Sequence, residues 1–292
     1  MSTRGRRWLE VRVRAPWAGD RAALLADGLV SLGARGVEER DGWYISYFAE
    51  PDDVDAFMRE AQVSLTSETG LDSLLLEHGW QAHEEWAETW KRGLSERRIT
   101  DRIVVHPSWI EPKGVRDGDA VVVLDPGMAF GTAEHGTTRG CLRLLDRVVR
   151  PGERYLDIGS GSGILAIAAV QLGASDVVAI EGDSLACEAL AENLERNEVA
   201  ERVRLVEGWA TAETIAAYGV VDGVIANIES GLLLPLFEGA RQVVRPEGWL
   251  IVSGILDHEW ARVRTALVEL GFRFVAIDED GAWRSGLFER AL

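Results

Sequence analysis

The stretch Leu-Asp-Ile-Gly-Ser-Gly-Ser-Gly at residues 156–163 decides the fold of this chain. Residues 153–156 have the pattern of the end of a buried strand, and the apolar run 164–169 that of the start of a helix. Glycines in such a turn let a ligand approach the backbone, and the helix N-terminus points at that ligand. A second apolar run, 177–180, ends in Glu181, an acid suitably placed for a ribose hydroxyl pair. The sequence therefore predicts a site for a nucleoside cofactor.

The glycine spacing distinguishes between cofactors. The dinucleotide fingerprint is G-x-G-x-x-G, whereas this turn carries Gly159, Gly161 and Gly163 and has Ile164 at the fingerprint's third glycine. Asp157 would repel a pyrophosphate but could pair with an ammonium group. S-adenosylmethionine carries an amino group, a sulfonium and a ribose but no phosphate, so the pattern favours it over a nicotinamide dinucleotide. The alternative is a tight structural turn that binds no ligand.

The composition is that of an ordinary soluble globular protein, since 47% of the 292 residues are hydrophobic and 27% are charged. No run approaches a membrane span and no signal-peptide core is evident, so we expect a cytoplasmic protein without membrane contact. Cys141 and Cys187 are expected to be reduced, buried thiols. No cluster of cysteine and histidine has metal-ligand spacing, so no metal is expected.

The net charge of −17 limits the class of partner. Nucleic-acid phosphates would be repelled by so acidic a chain, so direct nucleic-acid binding is not expected. A basic protein or peptide substrate suits this charge, although solubility alone explains it equally well. The chain is expected to act as a monomer.

The first part of the chain has the order strand, helix, strand, strand, helix. Strand 8–13 alternates with period two, a helix begins near Asp20, and the hairpin 37–48 turns at Asp41-Gly42. A second helix follows Asp52 or Asp53. This order predicts an α+β ferredoxin-like domain over residues 1–66, which we interpret as a substrate-recognition or dimerisation domain. A helical connector is predicted over residues 67–101, where Trp86 and Trp90 pack against a neighbouring domain, and a larger domain over 102–292.

From Asp125 onward helices and strands alternate. This order predicts an α/β, Rossmann-like sheet that is mostly parallel, with helices on both faces. The predicted strands are 154–157, 177–181, 203–206, 222–226, 248–253, 272–278 and 285–290. Functional residues are then expected directly after the strands, at the carboxyl edge of the sheet.

Two further strand ends carry candidate residues. Glu207, Gly208 and Trp209 follow the third strand, where an acid and an aromatic ring could hold an adenine; the alternative for Trp209 is a core or capping residue. Asn227 ends the fourth strand, where its side chain could accept a hydrogen bond from a substrate amine and aim the amine's lone pair at a methyl group. The alternative is an asparagine that caps the following turn.

The segment 125–138 is the second strong signal, because it places Gly, Thr, His and Phe in a loop before a helix. Such a composition is typical of a loop over a bound ligand. His135, flanked by small residues, is as suitable for a site role as for a structural one.

The strings PGMAFGTAEHGTT, LDIGSGSGILAIAA and VIANI together closely resemble PrmA, the family of ribosomal protein L11 methyltransferases. The resemblance is strong over residues 84–292, whereas residues 1–60 match only in element order. It implies a class I methyltransferase fold and transfer of methyl groups from S-adenosyl-L-methionine to lysine side chains and an N-terminal α-amine of ribosomal protein L11.

The resemblance also implies roles for particular residues. Those implied to act at the methyl group and the substrate amine are Phe130, Thr132 and Asn227, with Gly131 beside them. Those implied to bind the cofactor are Thr138, Asp157, Gly159, Ser160, Gly161, Gly163, Glu181, Gly208, Trp209 and Asn227. The chain departs from the family pattern at Ala133, where a glycine is usual, at Gly136, and at Glu181, where aspartate is more frequent.

Two alternatives are open. One is an enzyme of the same fold that methylates another protein or a small molecule, and the other is a non-catalytic protein that retained the cofactor site. Asp157, Glu181, Asn227 and the segment 130–135 argue against the second.

Overall fold

The computed structural model describes most of the chain. The described residues are 7–14, 22–34, 37–40, 42–51, 53–71, 73–82, 95–125 and 131–292. They belong to two compact units, one within residues 1–93 and one within residues 94–292. No helix among the described residues is both long and apolar enough to cross a membrane.

The smaller unit is a four-stranded antiparallel sheet in the order β2-β3-β1-β4, with two helices. Its elements are β1 (Arg7–Arg14), α1 (Ala22–Ser31), β2 (Val37–Arg40), β3 (Trp43–Ala49), α2 (Val54–Thr69) and β4 (Leu75–Ala82). This element order confirms the predicted ferredoxin-like α+β architecture.

Local sequence explains these elements. In β1, Leu9, Val11 and Val13 are fully buried, as the period-two alternation requires. Helix α2 begins after Asp53, whose carboxylate accepts the amide of Ala56 at 2.9 Å and so satisfies an N-terminal donor. The prediction of a cap at Asp52 or Asp53 is thus resolved in favour of Asp53, while the cap predicted at Asp20 and the turn residue Asp41 lie outside the described residues.

Strand β4 differs from the sequence prediction. Residues 67–101 are predicted to form a helical connector, but α2 continues to Thr69 and Leu75–Ala82 pairs with β1. In this strand three consecutive leucines and Gly79 hide the two-residue period of hydrophobic residues. The pattern is tolerated because an edge strand with one short buried face does not need strict alternation. Trp86 and Trp90 lie outside the described residues, so their predicted packing stays a prediction.

The larger unit contains a seven-stranded sheet in the order β10-β9-β8-β11-β12-β14-β13 and a three-stranded sheet in the order β5-β6-β7. The strands are β5 (Arg97–Arg98), β6 (Ile103–His106), β7 (Ala120–Val123), β8 (Arg154–Ile158), β9 (Asp176–Glu181), β10 (Val203–Glu207), β11 (Val221–Asn227), β12 (Val244–Leu256), β13 (Phe272–Asp280) and β14 (Trp283–Arg290). Strands β8 to β12 are parallel and the last two antiparallel. The predicted α/β sheet is confirmed.

Helices cover both faces of this sheet, so alternate strand residues enter two separate cores. The helices are α3 (Gly136–Val148), α4 (Ile164–Gln171), α5 (Ser184–Arg196), α6 (Ala212–Ala216), α7 (Ser230–Leu233), α8 (Phe237–Val243) and α9 (Asp257–Glu269). In β8, Tyr155 joins one core whereas Leu156 and Ile158 join the other. Burial on both faces explains why the strands are apolar runs rather than alternating ones.

Salt bridges and close packing hold helix α3 against the β13–β14 hairpin. Arg139 lies 2.8 Å from Asp280, and Arg143 lies 2.6 Å from Asp278 and 2.9 Å from Asp280. These arginines lower the pKa of Asp280 to about 2. A Cβ atom at Gly140 would clash with Ser285 of β14. The N-terminus of α3, and the segment that enters it, is therefore held against the sheet.

Replacing Gly140 by alanine is expected to lower the free energy of unfolding by about 1–3 kcal/mol, because Ser285 sits where the new methyl group would go. Chemical denaturation monitored by circular dichroism measures this change. The matched control is Gly231→Ala in α7, since a Cβ atom there has no neighbour within 4 Å. Equal stability of the two variants would contradict the proposed close packing of α3.

Candidate active site

The glycine turn has the geometry that the sequence predicts. Gly159, Gly161 and Gly163 all adopt positive φ angles, of 69°, 53° and 84°, a region that disfavours other residues. The amides of Gly159 and Ser160 donate to the carbonyl of Ile180 at 2.9 and 3.1 Å, so the turn is tied to the neighbouring strand β9. Helix α4 starts directly after Gly163, and its N-terminus faces the carboxyl edge of the sheet.

Two of the glycines are also required by packing. A Cβ atom at Gly159 would clash with Ile228, and one at Gly163 would lie 3.0 Å from Leu190. The hydroxyl of Ser160 donates to the carbonyls of Asp157 and Ile180, at 3.0 and 3.3 Å. The side chain of Ser160 thus stabilises the turn. The predicted contact of Ser160 with a cofactor stays a prediction.

Asp157 is a buried acid with no matching cation among the described residues. Its side chain is fully buried, and neither carboxylate oxygen meets a hydrogen-bond donor of the described residues in good geometry. Burial, with a contribution from Glu181, raises the pKa of Asp157 to about 7, and the Ala166 amide and the Ser160 hydroxyl offset only part of this rise. Because an unpaired buried carboxylate is costly, this position is suited to a positively charged ligand group.

Glu181 lies at the end of β9, above the glycine turn. Its carboxylate accepts the amide of Gly161 at 2.8 Å and the amide of Asp183 at 2.9 Å. These contacts fix the carboxylate beside the turn, at the strand end where a ribose is expected.

Trp209 is a large exposed aromatic side chain beside Glu181. The amide of Gly208 donates to the carbonyl of Glu181 at 2.8 Å, which ties the end of β10 to that of β9. The Trp209 ring lies against Gly182, where a Cβ atom would be 2.7 Å from the ring, and Trp209 is 74% exposed. The alternative of a core residue is therefore wrong, and Thr211 rather than Trp209 caps helix α6.

Asn227 ends β11 next to the glycine strand. It is 8% exposed, and its side-chain oxygen has no hydrogen-bond partner among the described residues. Because this oxygen accepts no bond from the turn that follows, and the N-cap position of the next helix is Glu229, the turn-capping alternative for Asn227 is not supported. Since buried polar atoms are rarely left unpaired, this oxygen marks a place for a ligand donor.

Of the segment 125–138, the structure describes residue 125 and residues 131–138. Phe130 lies outside the described residues, whereas Thr132 accepts the amides of Glu134, through its hydroxyl, and of His135, through its carbonyl. Thr138 is fully buried, and its hydroxyl has no partner among the described residues. Thr138 thus resembles Asp157 and Asn227 in having an unpaired buried oxygen.

His135 has a structural position. Its Nδ1 atom caps α3 by accepting the amide of Thr137, and it lies 2.7 Å from the hydroxyl of Thr137. Burial, followed by the charge of Arg139, lowers the pKa of His135 to about 4. The ring is therefore neutral at neutral pH, which is the form that can accept the capping bond.

Sequence reasoning missed two asparagines, Asn193 within α5 and Asn197 at its C-cap. Asn193 bonds to Asp125 and Ser162, and Asn197 exchanges bonds of 2.8 and 2.7 Å with the amide and carbonyl of Val123. Asparagine is a poor residue for a helix interior, so Asn193 is a signal that could have been used.

Both cysteines are buried, as the sequence predicts. Cys141 and Cys187 are buried and unpaired by disulfides, and burial raises the pKa of each thiol. Among the described residues, no group of three or more His, Cys, Asp or Glu side chains could hold a metal ion.

Comparisons with known proteins identify the family of this chain. The family model of ribosomal protein L11 methyltransferase (PrmA) matches residues 22–290. The chain belongs to this family. Among curated PrmA proteins, the ribosomal protein L11 methyltransferase of Pelotomaculum thermopropionicum is 36% identical over 303 residues, covering 94% of this chain and 96% of that protein. The one from Streptococcus pneumoniae (strain JJA) is 32% identical over 310 residues, covering 97% and 96%.

A solved PrmA structure is also similar. The ribosomal protein L11 methylase from Lactobacillus delbrueckii subsp. bulgaricus superimposes with a TM-score of 0.61 at 28% identity, covering 68% of this chain and 100% of that chain. Family membership identifies the seven-stranded sheet as a class I methyltransferase sheet, as the sequence predicts.

Proposed function

We propose that this PrmA-family chain transfers methyl groups from S-adenosyl-L-methionine to amino groups of ribosomal protein L11. The observation that carries the proposal is the Asp157 carboxylate and the Asn227 side-chain oxygen, which are buried at the ends of the adjacent strands β8 and β11 and have no hydrogen-bond partner among the described residues. One is suited to a cationic amino-acid group, and the other to the N–H donor of a nucleophile. The relatives, which are ribosomal protein L11 methyltransferases by name, favour L11 as the acceptor.

The residues present fit this cofactor. Asp157 would pair with the ammonium of the methionine end, Glu181 would accept the ribose hydroxyls, and Trp209 would pack on the adenine, beside Gly208. When bound, S-adenosyl-L-methionine supplies a methyl group on a sulfonium, which is already a good leaving group. The protein is then required mainly for positioning.

Asn227 is assigned the positioning of the nucleophile. A lysine amine has a pKa near 10.4 in water and must lose a proton before it attacks. The neutral amine keeps N–H donors, so the side-chain oxygen of Asn227 can accept one of them and aim the nitrogen lone pair at the methyl group. Transfer forms the N–C bond and breaks the S–C bond, and the proton leaves to water. Thr132 and Phe130 are proposed to line the same space.

The proposal is tested by the intact mass of ribosomal protein L11 after incubation with this protein and the cofactor. Mass increments of whole methyl groups would support it. Cofactor binding without any increment would contradict L11 as the acceptor, and would favour another protein or a small molecule. A target on the ribosome would place the reaction in the cytoplasm.

Two further properties stay proposals. The acidic chain is proposed not to bind nucleic acid directly, and to act as a monomer. Gel-shift titration with ribosomal RNA and sedimentation velocity test these statements separately.

Replacing Trp209 by alanine is expected to weaken cofactor binding about tenfold, because stacking of an aromatic side chain on a base is worth roughly 1–3 kcal/mol. Because Trp209 is 74% exposed, its loss leaves the core intact. Isothermal titration calorimetry measures the dissociation constant, and Trp209→Phe, which keeps an aromatic face, is the control. Unchanged affinity in the alanine variant would remove Trp209 from the adenine site.

A further inference from the structure

Two buried side chains outside the predicted site, those of Asn193 and Ser162, form a bridge that joins Asp125 and Gly131 to the glycine turn. Asn193 Oδ1 accepts the amide of Asp125 at 3.0 Å, and Asn193 Nδ2 donates to the carbonyl of Ser162 at 2.9 Å. The hydroxyl of Ser162 donates in turn to the carbonyl of Gly131 at 2.6 Å. Both side chains are fully buried.

The orientation of the Asn193 amide is fixed by its surroundings. Its Oδ1 atom also accepts a bond of 2.7 Å from Arg196, a guanidinium that can only donate. Arg196 is itself paired with the Asp125 carboxylate at 3.2 Å. If the side-chain oxygen and nitrogen of Asn193 were exchanged, its NH2 group would face the donor groups of Asp125 and Arg196. The Asn193 amide therefore has only one favourable orientation.

The bridge reaches the candidate site at both of its ends. Ser162 lies between Gly161 and Gly163 of the cofactor turn, and Gly131 precedes Thr132, which is assigned to the substrate side. A Cβ atom at Gly131 would lie 3.0 Å from the Ser162 hydroxyl, so the two backbones approach closely. Breaking a buried hydrogen bond leaves its partners unpaired, which destabilises the arrangement that the bond holds.

We infer that Asn193 and Ser162 are positioning residues, which hold Asp125 and Gly131 in register with the glycine turn and thereby align the substrate side with the cofactor. This inference rests on the proposed function for its consequence in catalysis. Neither side chain is assigned a contact with a reactant, because both are buried and their bonds are made within the protein. A displacement of about 1 Å at the reacting groups can cost roughly a hundredfold in rate.

Hydrogen exchange tests the bridge without any substrate. In the full-length protein, Ser162→Ala and Asn193→Ala are each expected to speed amide exchange in peptides covering residues 125–134 by at least about tenfold. Ser175→Ala is the matched control for the serine change, since the Ser175 hydroxyl donates to the backbone carbonyls of Gly152 and Glu153 rather than to any residue of the bridge. Equal exchange in Ser162→Ala and wild type would overturn the inference.

Kinetics test its consequence. With ribosomal protein L11 as substrate, each single variant is expected to lower kcat about tenfold while the cofactor Kd changes less than about threefold. Because both side chains belong to one bridge, the double variant should lose little more than the worse single variant. A double variant whose loss in kcat equals the product of the two single losses would contradict a joint positioning role. A cofactor affinity that falls as much as kcat would contradict it as well. Failure of the wild type to methylate L11 would instead count against the proposed function, and the exchange experiment would still stand.

Discussion

Replacing Asn227 by alanine is expected to lower kcat for methyl transfer by about two to three orders of magnitude, with little change in the cofactor Kd. The side chain is nine-tenths buried at the end of β11, and its unpaired oxygen is the group assigned to orient the amine. Positioning of a nucleophile at a preformed electrophile accounts for losses of this size. Single-turnover methyl transfer gives the rate, and calorimetry gives the affinity.

The isosteric variant Asn227→Asp separates the acceptor from its charge. An aspartate keeps an oxygen acceptor, but its negative charge favours the ammonium form of the amine, which cannot attack. Its rate should therefore fall at neutral pH and recover as the pH rises towards the amine pKa. If Asn227→Ala instead weakened cofactor binding as much as turnover, the orienting role would be wrong.

The sequence predicts well which residues meet at the carboxyl edge of the sheet, for a physical reason. The glycine turn, Glu181 and Gly208 lie at consecutive strand ends, so a correct assignment of the parallel strands is enough to bring them to one edge. Positive φ angles at Gly159, Gly161 and Gly163 likewise follow from residue type.

Contacts between distant segments are less accessible to sequence reasoning. The Asn193–Ser162 bridge joins residues 31 positions apart, and it depends on how α5 packs beside the glycine turn. His135 illustrates the converse, because its ring caps a helix that begins at the next residue, and nothing in its flanking small residues distinguishes a cap from a ligand. Strand β4 escaped prediction because an edge strand needs no strict alternation.

Replacing Asp157 by asparagine is expected to have opposite effects on binding and on stability. The variant lacks the charge that pairs with the cofactor ammonium, so the cofactor Kd should weaken at least about a hundredfold, in the range of hydrogen bonds to buried charged groups. The free protein should become more stable, because Asp157 is fully buried and its carboxylate has no cation among the described residues.

The pH dependence follows from the same group. Burial raises the pKa of Asp157 to about 7 in the folded protein, whereas in an unfolded chain an aspartate pKa is near 3.9. The folded state therefore holds this proton more tightly, and the stability contributed by this proton is present below pH 4 and is lost as the pH rises to about 7. Asparagine removes this loss, so the stabilisation of Asp157→Asn should be largest above pH 7.

Cofactor binding has the reverse dependence, since only the carboxylate pairs with an ammonium. The affinity of the wild type should rise as the pH increases through about 7 and then level off, while Asp157→Asn should show no such rise. Calorimetry between pH 5.5 and 8.5 measures the affinity of both proteins, and thermal denaturation without cofactor measures their stability. A variant that binds normally, or that loses stability at pH 8, would show that Asp157 is neutral or already paired in the folded protein. A weaker but more stable variant would show that the fold holds an uncompensated charge in place for its ligand.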